Sequence, residues 1–202
     1  MCREEMDNCW EDKADSQNWR TFYQKLEATR THCSPYNHVM NTGKPYKIPR
    51  SALVVIYTAK LEVLLIERAD YPGYWQSVTG SLEAGETLTQ TARREVMEET
   101  GIDATQEGVR LDDWQQENVY AIYPIWQHRY EPGVSYNTEH VFGLQIPDHV
   151  AVTLSAREHL QYVWLPYEKA APLCFSPTNR DAILDLPRRR AKFVTEQQAS
   201  HD

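Results

Sequence analysis

The sequence predicts an α/β fold, a sandwich in which a β-sheet is covered by two or so helices. Three observations carry that expectation. β-rich runs separated by short polar breaks recur from residue 47 onward, residues 87–101 hold helix start and stop signals, and strands and helices mix along one chain. The first 45 residues are different. They contain no isoleucine, only Leu26 and Val39 among the branched aliphatics, and three of the four cysteines.

Taken in order, Trp19, Phe22, Tyr23 and Leu26 recur at helical spacing, which predicts a short helix over 16–29. This segment either docks on the domain, stays mobile, or precedes a working start at Met40; the last is the expectation adopted. The division is then 1–44 as an extension, 45–190 as the folded domain and 191–202 as a tail. Runs 51–58 and 61–68 predict a hairpin, and 75–79 a third short strand. Thr87 and Gln90 are spaced as a capping box, Gly101 is placed as the helix stop, and Ile102 can then contact Met97. Further β-like runs cover 118–128, 139–145 and 161–165. A closing helix is expected over 178–186.

Composition narrows the function. Hydrophobic content of 41% and charged content of 25% are ordinary for a globular chain of 202 residues. A net charge of −8 argues against a surface built to grip nucleic acid, while leaving room for a small anionic ligand held by a few local cations. The longest apolar run, 52–57, is far too short to span a bilayer. The N-terminus is acidic, without the basic-then-apolar layout of a signal peptide, and the cysteines at 2, 9, 33 and 174 lack metal-ligand spacing. A cytoplasmic protein is expected.

The stretch GSLEAGETLTQTARREVMEETGI, 80–102, raises a physical problem. Glu95, Glu98 and Glu99 are three and four residues apart, so a helix brings their carboxylates together. Glu98 and Glu99 also fall in the last turn, at the end of the helix dipole that disfavours anions. Three glutamates alone more often mark a solvated helix face. A divalent cation changes the balance, because Mg²⁺ takes oxygen ligands from a few carboxylates together with substrate phosphates. Gly80 and Gly85 are expected to let the preceding loop turn tightly, and Leu88, Ala92 and Val96 to anchor the helix on the sheet.

Gly80, Glu86, Arg94, Glu95, Val96, Glu98, Glu99, Gly101 and Ile102 fill every position of the Nudix box, a match with chance odds on the order of 10⁻⁷ for average residue usage. The chain resembles a Nudix hydrolase. YWQSVTGSLEAGET (74–87), HRYEPGV (128–134), NTEHVF (137–142) and EHLQYVWL (158–165) further resemble the dihydroneopterin triphosphate diphosphatase branch, over roughly 45–190. Thr79-Gly80 stands where many relatives carry Gly-Gly, a departure shared with that branch.

The resemblance implies an α/β/α sandwich with a mixed sheet, and removal of pyrophosphate from dihydroneopterin triphosphate on the way to folate. It implies Mg²⁺, with Mn²⁺ as the alternative, held by Glu95, Glu99 and Glu158, and Glu98 as an additional candidate ligand. Glu95 is the first choice of general base and Glu158 the second. Arg94 holds a glutamate in place, and Glu86 supports rather than ligates. Lys47, Arg68, Thr79, Tyr120, Ala121, Ile122, Tyr123 and Ser176 match substrate-contacting positions. His128, His140 and His159 are not at catalytic spacing. Two other readings stay open: a Nudix hydrolase of dNTPs or damaged nucleotides, and a Nudix-fold sensor without turnover, against which the intact glutamates argue. Nothing in the sequence indicates a nucleic-acid or membrane partner or fixes the oligomeric state.

Overall fold

The structure, a computed structural model, describes residues 45–191. The expected helix over 16–29 and the cysteines at 2, 9 and 33 lie outside the described residues. At the centre runs β1 (Arg50–Thr58), whose residues from Ser51 to Thr58 are all buried. A strand buried on both faces reads as an unbroken apolar run, as SALVVIYT does. It leads into β2 (Glu62–Arg68) through a turn in which Leu61 takes φ 62°, and the two strands pair antiparallel at Tyr57 and Val63.

The expected third strand is two. β3 (Trp75–Gln76) pairs with β2, and β4 (Val78–Ser81) pairs with β1 from Ser51 to Val54. Between them Ser77 leaves the ladder and gives its backbone N–H to Asn179 Oδ1 at 2.8 Å. Helix α1 (Leu88–Thr100) follows. The second half of the sheet comprises β5 (Arg110–Ala121), β6 (Tyr136–Ile146) and β7 (His159–Pro166). A short helix α2 (Tyr167–Ala170), a 3₁₀ turn (Ala171–Leu173) and helix α3 (Pro177–Leu184) follow; after a turn at Asp185 residues 186–191 are helical again, in place of the single helix expected over 178–186.

Among the described residues, seven strands form one mixed sheet in the order β3-β2-β1-β6-β5, with β4 on β1 and β7 on β2. β6 runs parallel to β1 from Arg50↔Thr138 to Thr58↔Ile146, and the other pairings are antiparallel. The two faces of β1 build two cores. Ala52, Val54 and Ile56 pack with Ala92 and Val96 of α1, while Leu53, Val55 and Tyr57 pack with Ala182, Ile183 and Leu186. The result is the expected α/β/α sandwich. No helix among the described residues is long and apolar enough to cross a membrane.

The strand expected over 118–128 is corrected at both ends. β5 starts at Arg110 because an edge strand can carry a polar sequence such as RLDDWQQE, and a bulge between Asp113 and Gln116 interrupts its alternation. It stops at Ala121, shortly before Pro124, which has no N–H to give a ladder; residues 127–129 form a 3₁₀ turn instead.

Candidate active site

Helix α1 is fixed at both ends. Thr87 Oγ1 accepts from the Gln90 N–H at 3.2 Å and Gln90 Oε1 accepts from the Thr87 N–H at 2.7 Å, which is the capping box. Gly101 takes φ 71° and gives its N–H to the Met97 carbonyl. Ile102 is buried in the core, whereas Met97 is exposed. Ala92 and Val96 are fully buried against the sheet, so Glu95 and Glu99 are pressed toward β4.

Gly80 plays a different part from the one expected. It lies inside β4 without a left-handed backbone, and a Cβ there would overlap the Glu95 carboxylate. Its value is close approach; the tight turn belongs to Gly85, at φ 86°.

Arg94 organises the anions. Its guanidinium donates to Glu86 Oε1 at 2.8 Å and Oε2 at 3.0 Å, to Glu95 Oε1 at 2.7 Å, to Glu98 Oε2 at 3.2 Å and to the Ser81 carbonyl at 3.0 Å. The same fork holds the Glu86 carboxyl down at about 2. Glu95 goes the other way, to about 7, because burial and the neighbouring Glu99 and Glu98 charges outweigh its bond to Arg94. Burial likewise raises Glu99, against the opposing pull of His159.

Glu99, Glu158 and His159 each place a ligand atom within 4.8 Å of the others. Glu99 Oε2 is buried with no hydrogen-bond partner, and His159 Nε2 stands 3.5 Å from Glu99 Oε1. A buried carboxylate oxygen without a donor, beside a second carboxylate, fits a hard divalent cation. The structure therefore brings Glu99 and Glu158 together as expected, and adds His159, for which the spacing indicated no role. Glu95 Oε1 is engaged by Arg94, and Glu98 projects outward with a half-exposed side chain.

A single cavity of about 550 Å³ runs over these groups, and all of the sequence-predicted site residues line it. Arg94, Glu95, Glu98, Glu99 and Glu158 form one end, with Thr79 beside them, its hydroxyl donating to the Ala52 carbonyl at 3.1 Å. Lys47 sits where burial and the Arg129 charge lower its ammonium pKa while Glu95 and Glu158 oppose that fall. Arg68 is already committed: it grips Asp70 through two bonds of 2.8 and 2.7 Å, donates to Gln76, and lies 4.9 Å over the Trp126 ring. Tyr120, Ala121, Ile122, Tyr123 and Ser176 line the far side.

Sequence reasoning missed several lining residues there, namely Trp126, Phe175, Asn137, Glu139 and Thr178. Glu139 is 5% exposed and Asn137 2%. Burial raises the Glu139 carboxyl, opposed by the Thr178 hydroxyl and the Asn118 amide. A signal was present. Asn137 and Glu139 share the strand parity of Val141, a core residue, so two polar side chains continue an inward-facing row.

Residues 47–186 match the model of the NUDIX domain. The chain belongs to the Nudix family. It is 47% identical over 141 residues to the dihydroneopterin triphosphate diphosphatase of Escherichia coli K12, covering 69% of this chain and 93% of that protein. Identity to the Haemophilus influenzae protein of the same name is 37%, over 68% of this chain and 87% of the relative. The solved structure of the E. coli dihydroneopterin triphosphate pyrophosphohydrolase superposes with a TM-score of 0.65, covering 69% of this chain and 95% of that one. In this Nudix protein the box is thus a folded unit: a strand glycine, a charge-pinning arginine and a capped helix that together hold carboxylates against the sheet.

Proposed function

We propose that this Nudix hydrolase converts dihydroneopterin triphosphate and water into dihydroneopterin monophosphate and pyrophosphate, in the cytoplasm, with Mg²⁺ as its cation and Mn²⁺ as the substitute. The observation that carries the reading is the cavity itself. It joins an acidic end suited to a cation and phosphates to a polar and aromatic end suited to a heterocycle. The named relatives, which the chain matches over most of their length, support the same substrate.

Glu99 and Glu158 would hold the cation, with Glu95 completing the oxygen set and His159 beside them. When bound, it would supply positive charge that neutralises the phosphates and Lewis acidity at the reacting centre. Glu95 takes the proton of the attacking water, and Arg94 keeps that side chain aimed. Glu158 is the second candidate for this step. Lys47 and Arg68 supply positive charge to the polyphosphate, and Thr79 borders its path. The water oxygen bonds to phosphorus, the α–β anhydride bond breaks, and pyrophosphate leaves.

Purified protein given Mg²⁺ and either dihydroneopterin triphosphate or each common dNTP tests the reading. The pterin substrate should show the highest kcat/KM and release pyrophosphate, and excess EDTA should abolish turnover. A full rate in EDTA overturns the metal mechanism, and a higher kcat/KM for a dNTP overturns the substrate.

A further inference from the structure

The far end of the cavity holds a carboxylate that the hydrolysis does not use. β-sheet register places Glu139 beside Ser51 on one side and Asn118 on the other, with Tyr120 opposite Asn137. Glu139 Oε1 accepts from the Thr178 hydroxyl at 2.8 Å and more weakly from the Asn118 amide at 3.4 Å. Both known donors fall on that one oxygen. The Asn137 amide nitrogen donates to Ser51 Oγ at 2.8 Å and to the Tyr120 hydroxyl at 3.0 Å, and Asn137 Oδ1 is buried with no partner. Thr178 is tied in turn to Ser176 at 2.9 Å. These contacts fix Glu139 in place and leave acceptor capacity open at the cavity floor.

Placement and charge suggest what approaches it. Gly80, against which Glu95 packs, lies on β4, and Glu139 lies on β6, with β1 between. Their backbones are two strand spacings, roughly 10 Å, apart, and the cavity is lined by both Glu95 and Glu139. A ligand whose phosphates occupy the acidic end therefore presents its ring here. A buried carboxylate is costly unless donors satisfy it. The edge that supplies two adjacent N–H donors is the cyclic amidine of a 2-amino-4-oxo-pyrimidine ring, in which a ring N–H neighbours an exocyclic amine. Pterins carry this edge, and so does guanine. Adenine and cytosine place a ring-nitrogen lone pair at the corresponding position and would meet the carboxylate with repulsion. Uracil and thymine flank their ring N–H with carbonyl oxygens and do the same. The Tyr120 hydroxyl, which accepts from Asn137 and is hydrogen-bonded to Ser51, borders the same floor.

We propose that Glu139 is the specificity-determining residue of the site, accepting hydrogen bonds from the ring N–H and 2-amino group of the substrate's amidine edge. The inference rests on the pterin reading and deepens it by naming the residue that selects the ring.

The test compares wild type with Glu139→Gln, which keeps size and an acceptor for Thr178 but turns a donor toward the ligand's donors. With dihydroneopterin triphosphate, KM should rise roughly 10²-fold while kcat changes less than about threefold. Inhibition by phosphate-free dihydroneopterin should weaken in parallel. Inhibition by tripolyphosphate should stay as in wild type, and the melting temperature should not fall. Unchanged KM overturns the proposal, and so does an equal loss of tripolyphosphate inhibition, which would mark a structural role. The two readings fail separately. If wild type prefers dGTP to the pterin substrate, and Glu139→Gln loses dGTP turnover relative to dATP, the edge recognition stands and the pterin assignment falls. If wild type prefers the pterin substrate and the variant matches it, the pterin assignment stands and Glu139 is not the selector.

Discussion

At Gly80 the site depends on an absent side chain. The Glu95 carboxylate occupies the space a Cβ would need, so the strand glycine sets how closely helix α1 approaches β4. Gly80→Ala should push Glu95 out of place, and displacement of a reacting group by about 1 Å costs on the order of 10²-fold in rate. The expected result is a kcat lowered by that order, with a melting temperature reduced by only a few degrees, read by steady-state kinetics and thermal melts. A variant with wild-type kcat would show that Glu95 relaxes without consequence. The glycine itself was legible in the sequence as part of the Nudix box, but its reason was not. Spacing indicates that a small residue is needed; it does not say whether the backbone must turn or a neighbour must fit. Glu139 and Asn137 escaped for a related cause, since a strand pattern assigns faces and cannot tell that one end of a face opens into a cavity.

Elements with local physical signatures were the readable ones. The capping box of α1, its left-handed glycine stop and its buried stripe each depend on residues a few positions apart, and all are present. Strand β1 was readable from its apolar run. What failed was set by distant partners. The polar start of β5 is held by pairing with β6, the break at Ser77 is fixed by Asn179 from α3, and α2 is too short to show a period. The cap gives a prediction on this scale. Thr87→Ala removes the side-chain acceptor of the Gln90 N–H and should cost about 1 kcal/mol. That corresponds to a melting temperature lower by about 2–4 °C for a chain of this size. Because Glu95 and Glu99 lie in later turns, kcat should be unaffected. A melting temperature equal to wild type would mean that the Thr91 hydroxyl, bonded to Glu86 and to the Thr87 carbonyl, secures the helix start alone.

Across the whole molecule, one set of carboxyls works against the fold. Burial raises Glu95 to about 7 and also raises Glu99 and Glu139, all of them around one cavity in a chain of net charge −8. For Glu95, the folded state binds a proton between about pH 7 and the ordinary value of 4.5, where the unfolded chain does not. Stability without metal therefore falls as pH rises through that window, by about 3 kcal/mol from Glu95 alone. Glu86 has the opposite sign, but its pKa of about 2 confines its effect below pH 4.5. Thermal melts in EDTA should show the melting temperature rising by several degrees from pH 8 to pH 5, and Glu95→Gln should flatten that slope. Adding Mg²⁺ should stabilise the protein more at pH 8 than at pH 5, because the cation binds the carboxylates and competes with protons for them. A wild-type melting temperature that falls over the same range in EDTA would show that these carboxyls are ionised in the folded protein without a cation, and that the cavity is wetter than its packing implies.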